Sequence, residues 1–320
     1  MKHYFAALDL GTNSILLLLT RADSSGRLVE ELEACRITRL GESVAETGLL
    51  RAEAMMRTLV AVRDFLAHIP RGESSGVGVA VATSAARDAA NGKEFLDACA
   101  TLIGGKPLLF SGDEEAYTVF CGAASDQSAD EFCVCLDIGG GSTEIAAGFP
   151  ARCDLRTSLD IGCVRFAERF RLLEQAAPGQ ETLAREAAAK LLRPVCRQIR
   201  NHLPRGCPVR VIASGGTATT FAAVAHAVVP FERQRVHGLR LTEQTVSEWT
   251  ERLLPLSSRD RACVPGLPEE RAEVLPAGML ILSEVLRNLD CASVTVTTRG
   301  LRYGLALRLQ NGELVPTWKW

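Results

Sequence analysis

Apolar positions along this chain follow two periods, and the two alternate. Tyr4-Phe5-Ala6-Ala7-Leu8 is an unbroken apolar run ending in Asp9-Leu10-Gly11-Thr12-Asn13-Ser14, and Phe132-Cys133-Val134-Cys135-Leu136 is a second, ending in Asp137-Ile138-Gly139-Gly140-Gly141-Ser142-Thr143-Glu144. Each reads as a strand that finishes on a carboxylate and a glycine turn. Each turn leads into another apolar segment, Ile15 to Thr20 or Glu144 to Gly148. A further turn (Ser24-Ser25-Gly26 or Phe149-Pro150) leads into a third, so both halves open on a β-meander. The period then becomes helical. Glu53 to His68 places Met56, Leu59, Val60, Val62 and Leu66 at mostly three- and four-residue spacings, and Gln180 to Leu203 carries Leu183, Ala187, Leu191, Val195 and Ile199 at intervals of four. Pro194 is expected to kink the second helix or to start a new one. Gly76 to Ala82 and Val209 to Ala213 read as short buried strands, each followed by a Ser/Thr/Gly loop and a helix, an alternation that indicates α/β domains.

Asp9 and Asp137 stand 128 residues apart, too long a period for a solenoid, so the near-repeat implies two related domains in tandem. The polar stretch Ser125 to Asp130 marks the boundary, dividing the chain into 1–124 and 125–320. The length of 320 residues agrees with about two domains at roughly 150 residues each. With 36 Lys and Arg against 38 Asp and Glu, the net charge of −2 excludes capture of nucleic acid or of an anionic membrane by bulk electrostatics. The sum hides a gradient: 1–124 carries net −4 and 125–320 net +2, and Ala187 to Phe231 holds six basic residues and no acid. Arg193, Arg197 and Arg200 share one face of the expected helix there. Eleven cysteines, without a C-x-x-C pair, are neither a disulfide frame nor a zinc site. Together with the absence of a secretory pattern at Met1-Lys2-His3-Tyr4, they lead us to expect reduced, buried thiols in a cytoplasmic protein. The apolar run Ile15 to Leu19 is too short to span a membrane.

The chemistry sits in the two turns. Glycines let a ligand approach the backbone, successive N–H groups form an anion-binding nest, and the hydroxyls of Thr12, Ser14, Ser142 and Thr143 add donors. Asp9 and Asp137, at strand ends, are placed to hold a divalent cation or orient a water beside a bound phosphate. One Asp-Gly turn would be ordinary hairpin chemistry; two in the same strand context point to phosphate.

These two turns resemble the phosphate motifs of the exopolyphosphatase and guanosine pentaphosphate phosphohydrolase family. Ala82-Thr83-Ser84-Ala85-Ala86-Arg87-Asp88-Ala89-Ala90-Asn91, then Ser111-Gly112-Asp113-Glu114-Glu115-Ala116, resemble the next blocks in the family's order. Ser158 to Arg165, Ser214-Gly215-Gly216-Thr217 and His237 to Thr242 continue the series, so that the resemblance covers nearly the whole chain. It implies an α/β fold of two RNase H-like domains of the actin, Hsp70 and sugar-kinase superfamily, with an interdomain active-site cleft. It also implies hydrolysis of a terminal phosphoanhydride, in inorganic polyphosphate or in guanosine pentaphosphate, with Mg2+ as the metal and a homodimer as the assembly.

Residue by residue, the resemblance assigns Glu115 as general base and Asp137 and Glu144 as catalytic carboxylates, with Asp9, Asp137 and Glu144 holding the metal. Thr12, Asn13, Ser14, Arg87, Gly139, Gly140, Gly141, Ser142 and Thr143 become the phosphate contacts. Glu114 is the rival base. On a helix the two neighbouring side chains point about 100° apart, so only one faces the substrate. Without the resemblance, this acidic pair reads as a helix N-terminus complementing its dipole, capped by Ser111 or Asp113. The chain departs from the family near its end, where a Ser-Asp doublet and a Leu-Arg-Glu-Gly run are replaced by Thr297-Thr298-Arg299-Gly300-Leu301-Arg302-Tyr303-Gly304. An exopolyphosphatase is the favoured expectation. A guanosine pentaphosphate 5′-phosphohydrolase is the alternative, and a non-catalytic phosphate or nucleotide sensor a third.

Overall fold

The computed structural model describes residues 3–70 and 75–320; Met1 and Lys2, part of the N-terminal run read for a leader, lie outside them. It divides into two units, one formed by Met1–Gly122 with Leu301–Trp320, the other by Ala123–Gly300.

The first unit is built on strands β1 (His3–Leu10), β2 (Ser14–Ala22), β3 (Leu28–Ile37), β4 (Ser75–Ala82) and β5 (Leu108–Leu109). The second is built on β6 (Phe132–Ile138), β7 (Thr143–Phe149), β8 (Arg152–Leu159), β9 (Val209–Ser214), β10 (Arg240–Thr242) and β11 (Ser293–Val296). A last strand, β12 (Trp318–Lys319), returns to the first sheet. Both sheets repeat one plan. The antiparallel meander β1-β2-β3 is joined by β4 parallel to β1 and β5 parallel to β4; β6-β7-β8 is joined by β9 parallel to β6 and β11 parallel to β9. The near-repeat in the sequence is therefore a repeat of topology. In each unit three parallel strands end at the same edge, the place where open α/β sheets bind ligands.

The apolar runs are continuous because both faces of the strands are covered. Along β1, Tyr4, Ala6, Leu8 and Leu10 enter one core with Ile15, Leu17 and Phe95, while Ala7 faces a second core with Leu18, Val79, Val81 and Phe110. Each buried Leu, Ile, Val or Phe side chain here contributes about 1.5–3 kcal/mol. Cys133 and Cys135 are buried on β6, and burial pushes the Cys133 thiol up to about 12. None of the 11 cysteines is in a disulfide; five are buried and two, Cys35 and Cys263, exposed.

Three expectations are corrected. The helix Ala52–Leu66 buries Ala54, Thr58, Ala61, Val62 and Phe65, and leaves Met56 and Val60 exposed. Gln180–His202 is one helix that runs through Pro194; it buries Ala184, Ala188, Ala189, Leu192, Cys196 and Ile199, whereas Leu183 and Leu191 are exposed. In both, the buried face mixes small residues such as Ala54, Ala61, Ala184 and Ala188 with larger ones such as Phe65, Leu192 and Ile199. Arg193, Arg197 and Arg200 lie on the exposed side. Finally, the last twenty residues, read as part of the second domain, belong to the first unit. The helix Leu301–Gln310 packs on β1 and β2, and β12 pairs antiparallel with β4. A side chain at Gly78 would collide with the Trp318 indole, and one at Gly76 with that of Trp320, so the glycines of β4 are seats for the chain's last tryptophans.

The second unit has an unusual buried centre. Arg261 is wholly buried and donates to the carbonyls of Leu172, Leu173, Glu174, Leu253, Leu254, Ala272 and Glu273. Burial lowers its pKa from the ordinary arginine range to about 10, which leaves the guanidinium charged at neutral pH. Replacing Arg261 by Met orphans buried carbonyls on three segments, and we expect a loss of at least about 3 kcal/mol in urea-monitored unfolding; a loss below about 1 kcal/mol would show that these carbonyls find other donors.

Candidate active site

A peptide plane that directs its C=O inwards directs the following N–H outwards. The second unit applies this to its whole glycine turn. The Gly139 carbonyl accepts from Cys163 N–H (2.9 Å), Gly140 from Val164 (2.9 Å) and Arg165 (3.1 Å) N–H, and Gly141 from Arg165 Nε (2.7 Å). The Ser142 carbonyl accepts from Gly139 N–H (3.0 Å). Three of these donors, the N–H groups of Cys163, Val164 and Arg165, open the helix Cys163–Arg169 and would otherwise lack partners. Helix and turn thus satisfy each other, and the N–H groups of Gly140, Gly141 and Ser142 point away from the helix. Gly162 permits this approach, since a Cβ there would stand 2.4 Å from the Gly140 oxygen.

The first unit does the same with a different partner. The Thr12 carbonyl accepts from Gly41 N–H (2.8 Å), and Asn13 from Thr38 (3.0 Å) and Arg39 (2.9 Å) N–H. In both units the turn after the first strand is held by the segment that follows the third.

Asp137, half-buried at the end of β6, accepts from Ser214 Oγ at 2.8 Å. Two glycines crowd its carboxylate: a Cβ at Gly215 would lie 2.2 Å from Oδ1 and one at Gly300 would lie 3.3 Å from Oδ2. Gly215 also has φ +81°, in the left-handed region. Glu144 is buried, accepts from Ser158 Oγ at 2.7 Å, and is the direct cross-strand partner of Asp137. Opposed residues of an antiparallel pair have Cβ atoms about 4.5–5.5 Å apart. Two carboxylates are therefore adjacent on one sheet face, an arrangement that repels itself unless a cation stands nearby. The Thr143 hydroxyl donates to the Ile161 carbonyl, so this predicted phosphate contact holds the loop through its side chain instead.

In the first unit Asp9, Thr12, Asn13 and Glu115 are buried, and Ser14 and Arg87 half-buried. Thr12 Oγ1 bonds Ser84 Oγ (3.0 Å), joining the turn to the short helix Ser84–Asp88 that carries Arg87. Arg87 Nη1 donates to the Phe110 carbonyl (3.0 Å) and stands 3.6 Å from Glu115 Oε2. The helix Gly112–Ala123 separates the two acidic neighbours. Glu114 accepts from both the N–H and the hydroxyl of Ser111 (2.9 Å each) while Ser111 Oγ accepts from Glu114 N–H (3.3 Å), a capping box. Glu114 is exposed and engaged in capping; Glu115 is turned inwards, 7% exposed, beside Arg87. The Asp9 position differs from its counterpart in the repeat: Leu16 stands opposite Asp9 where Glu144 stands opposite Asp137.

Among the described residues no three His, Cys, Asp or Glu side chains gather as a metal site. Magnesium does not require such a cage. It is held by one or two carboxylates, with water and substrate oxygens completing its octahedron. The Asp137–Glu144 pair fits that demand.

The sequence matches the Ppx/GppA phosphatase family over residues 24–313. The chain belongs to this family. It is 32% identical over 317 residues to Exopolyphosphatase 2 of Mycobacterium tuberculosis (strain CDC 1551 / Oshkosh), covering 95% of this chain and 98% of that protein. A Ppx/GppA family member from Aquifex aeolicus superposes with a TM-score of 0.80 at 27% identity, covering 98% of this chain and all of that one. An exopolyphosphatase from Cytophaga hutchinsonii ATCC 33406 shares the fold, with TM-score 0.85, 22% identity, and 97% and 98% of the two chains. The Ppx/GppA chain is thus an α/β enzyme of the two-domain RNase H-like class. Among the described residues no helix is long and apolar enough to cross a membrane.

The Ppx/GppA site includes residues that the sequence reading quoted in blocks without assigning a role. Ser214 and Gly215 fix Asp137, and Ser158 fixes Glu144. Arg271 was missed altogether. Its guanidinium fills the space over Gly216, at the start of the helix Gly215–Ala225, and its charge reaches the buried Cys163 thiol, which burial nonetheless raises. Among the described residues Arg271 has no ion pair. Its signal in the sequence is weak, one arginine among 31. His237 is a packing residue: its Nδ1 accepts from Thr298 N–H (3.3 Å), and Nε2, which then carries the proton, faces Asp126 Oδ2 at 3.0 Å, with Arg299 Nη1 at 3.3 Å. Burial raises the Asp126 pKa, but the hydrogen bonds from His237 and Gln127 and the charge of Arg299 outweigh it and hold the carboxyl below its usual range.

Gly215 gives a controlled test, because Gly179 has nearly the same φ (+85°) and open space where its Cβ would be. Ala at Gly179 should cost roughly 1 kcal/mol in thermal unfolding, and Ala at Gly215, where the Cβ meets Asp137, should cost more. Only Gly215→Ala should abolish phosphatase activity; equal activity in the two variants would show that the contact with Asp137 is unimportant.

Proposed function

We propose that this Ppx/GppA enzyme is an exopolyphosphatase that releases orthophosphate from the end of inorganic polyphosphate. The observation that carries this reading is the matched pair of glycine turns, each ending a strand on a carboxylate with its carbonyls turned away from the ligand side. Such turns suit a phosphoanhydride, whose transfer needs alignment and charge neutralisation more than covalent help. The relationship to a protein named as an exopolyphosphatase supports the same choice of substrate.

In this reading the first unit supplies Glu115, which takes the proton of the attacking water as the water approaches the terminal phosphorus in line with the bridging oxygen. Arg87, 3.6 Å from that carboxylate, offers a guanidinium to a phosphate oxygen. In the second unit the N–H groups of Gly140, Gly141 and Ser142 and the Arg271 guanidinium offer donors to phosphate oxygens; in the first unit Asn13 and Ser14 offer the same kind of contact. Asp137 and Glu144 would hold magnesium, which would supply neutralisation of the charge that develops on the phosphoryl and leaving oxygens.

Glu115→Gln should lower kcat for orthophosphate release by roughly 100-fold or more, and Glu114→Gln should leave it within about twofold while weakening the helix cap by about 1 kcal/mol. Loss of activity on the Glu114 substitution alone would move the base by one residue. A chelated enzyme should regain activity with added magnesium, and across long polyphosphate, short polyphosphate and guanosine pentaphosphate the highest kcat/KM should belong to a polyphosphate. A preference for guanosine pentaphosphate would replace the proposed substrate, and activity indifferent to chelation would remove the metal.

A further inference from the structure

The carboxylate proposed as base stands on the first turn of a helix, and a helix start is an easily frayed place. What holds this one comes from the far end of the chain. The helix Leu301–Gln310 crosses Gly112–Ala123 so closely that a Cβ on Gly304 would lie 1.9 Å from the Thr118 carbonyl oxygen and 3.1 Å from Gly122 N. One turn on, Arg308 reaches across the contact. Its Nη1 donates to Thr118 Oγ1 at 2.6 Å, and its guanidinium carbon lies 4.9 Å from the Tyr117 ring centroid and 6.0 Å from that of Phe110. Glu313 is brought back to its Nε at 3.3 Å by the turn that ends the helix. The side chain is 13% exposed.

The donors and acceptors fit one direction only. A threonine hydroxyl has a single proton. Thr118 donates it to the Glu114 carbonyl (2.7 Å) and so accepts from Arg308. The guanidinium therefore touches both flanks of the turn that launches the helix: Phe110, just before Ser111, and Tyr117 and Thr118, one to two turns after it. Phe110 is also the residue whose carbonyl holds Arg87. Glu115, the base assigned in this unit, is thereby referred to one half-buried cation.

We infer that Arg308 is a positioning residue for Glu115, and that the C-terminal segment is part of the base assembly. The inference rests on the assignment of Glu115 made above. A misplacement on the order of 1 Å at a reacting group can cost about 100-fold in rate, so loosening this helix start should appear in kcat and leave KM alone.

The test is a double-mutant cycle on orthophosphate release from polyphosphate, using Arg308→Met and Arg308→Lys in the wild-type and Glu115→Gln backgrounds, with amide hydrogen exchange of residues 111–118 read on the same proteins. Arg308→Met should lower kcat on the order of 10–100-fold with KM within about twofold, and should lower the residual rate of Glu115→Gln by less than about twofold, because the group it positions is already gone. Arg308→Lys, which keeps the charge and the bond to Thr118 but loses the planar stacking, should fall between wild type and Met. Exchange over 111–118 should quicken in both. The same factor in both backgrounds, or an unchanged kcat, overturns the inference. If Arg308→Met fails to fold, Arg308→Lys decides by the same criteria. A wild type that releases no orthophosphate overturns the functional reading instead, and exchange unaffected by either substitution would then still refute the positioning role.

Discussion

A backbone turn can offer its N–H groups to an anion only if its carbonyls are satisfied elsewhere. That constraint organises much of this Ppx/GppA chain. In the second unit the four carbonyls from Gly139 to Ser142 are taken by the start of one short helix, by Arg165 and by the turn itself. In the first unit those of Thr12 and Asn13 are taken by Thr38, Arg39 and Gly41. The partner segment follows the third strand of the meander in each case, so a duplicated topology solves the same accounting problem twice with unrelated residues. Blocks such as Ser158 to Arg165 exist chiefly to receive those carbonyls and to orient Glu144.

From the common plan the two units diverge in what they place at their carboxyl edges. In the second, the parallel strands deliver Asp137, Ser214 and the Thr297–Gly300 segment, all gathered round one carboxylate, with Glu144 opposite. In the first, Leu16 replaces that second carboxylate, and the third parallel strand leads instead to Ser111 and the helix of Glu115. The two units thus share one plan and differ in the acidic side chains that stand at its carboxyl edge.

The repeat, the strands and the carboxylate-glycine turns were legible because period and turn chemistry are local. The inward faces of the helices were not. A stripe of Leu183, Ala187 and Leu191 has the same period as the alanine-rich stripe beside it, and packing against the helix Leu275–Leu289 chose the latter. The return of the last twenty residues to the first sheet leaves only faint marks, glycines at 76 and 78 whose purpose is two tryptophans some 240 residues later. Glu114 and Glu115 looked equivalent until the S-x-x-E spacing from Ser111 was seen to close as a capping box; that spacing was present in the sequence and could have separated them. Asp126 brings a carboxylate to His237 from a different segment, a pairing that is invisible without coordinates.

Attack of water on the terminal phosphorus is tested most directly by an isotopic measurement. Polyphosphate hydrolysed in water enriched in oxygen-18 should yield orthophosphate carrying one labelled atom for each molecule released, with none entering the shortened chain at the bond just broken. Unlabelled orthophosphate, with the label in the new chain end, would place the attack on the penultimate phosphorus and contradict the account.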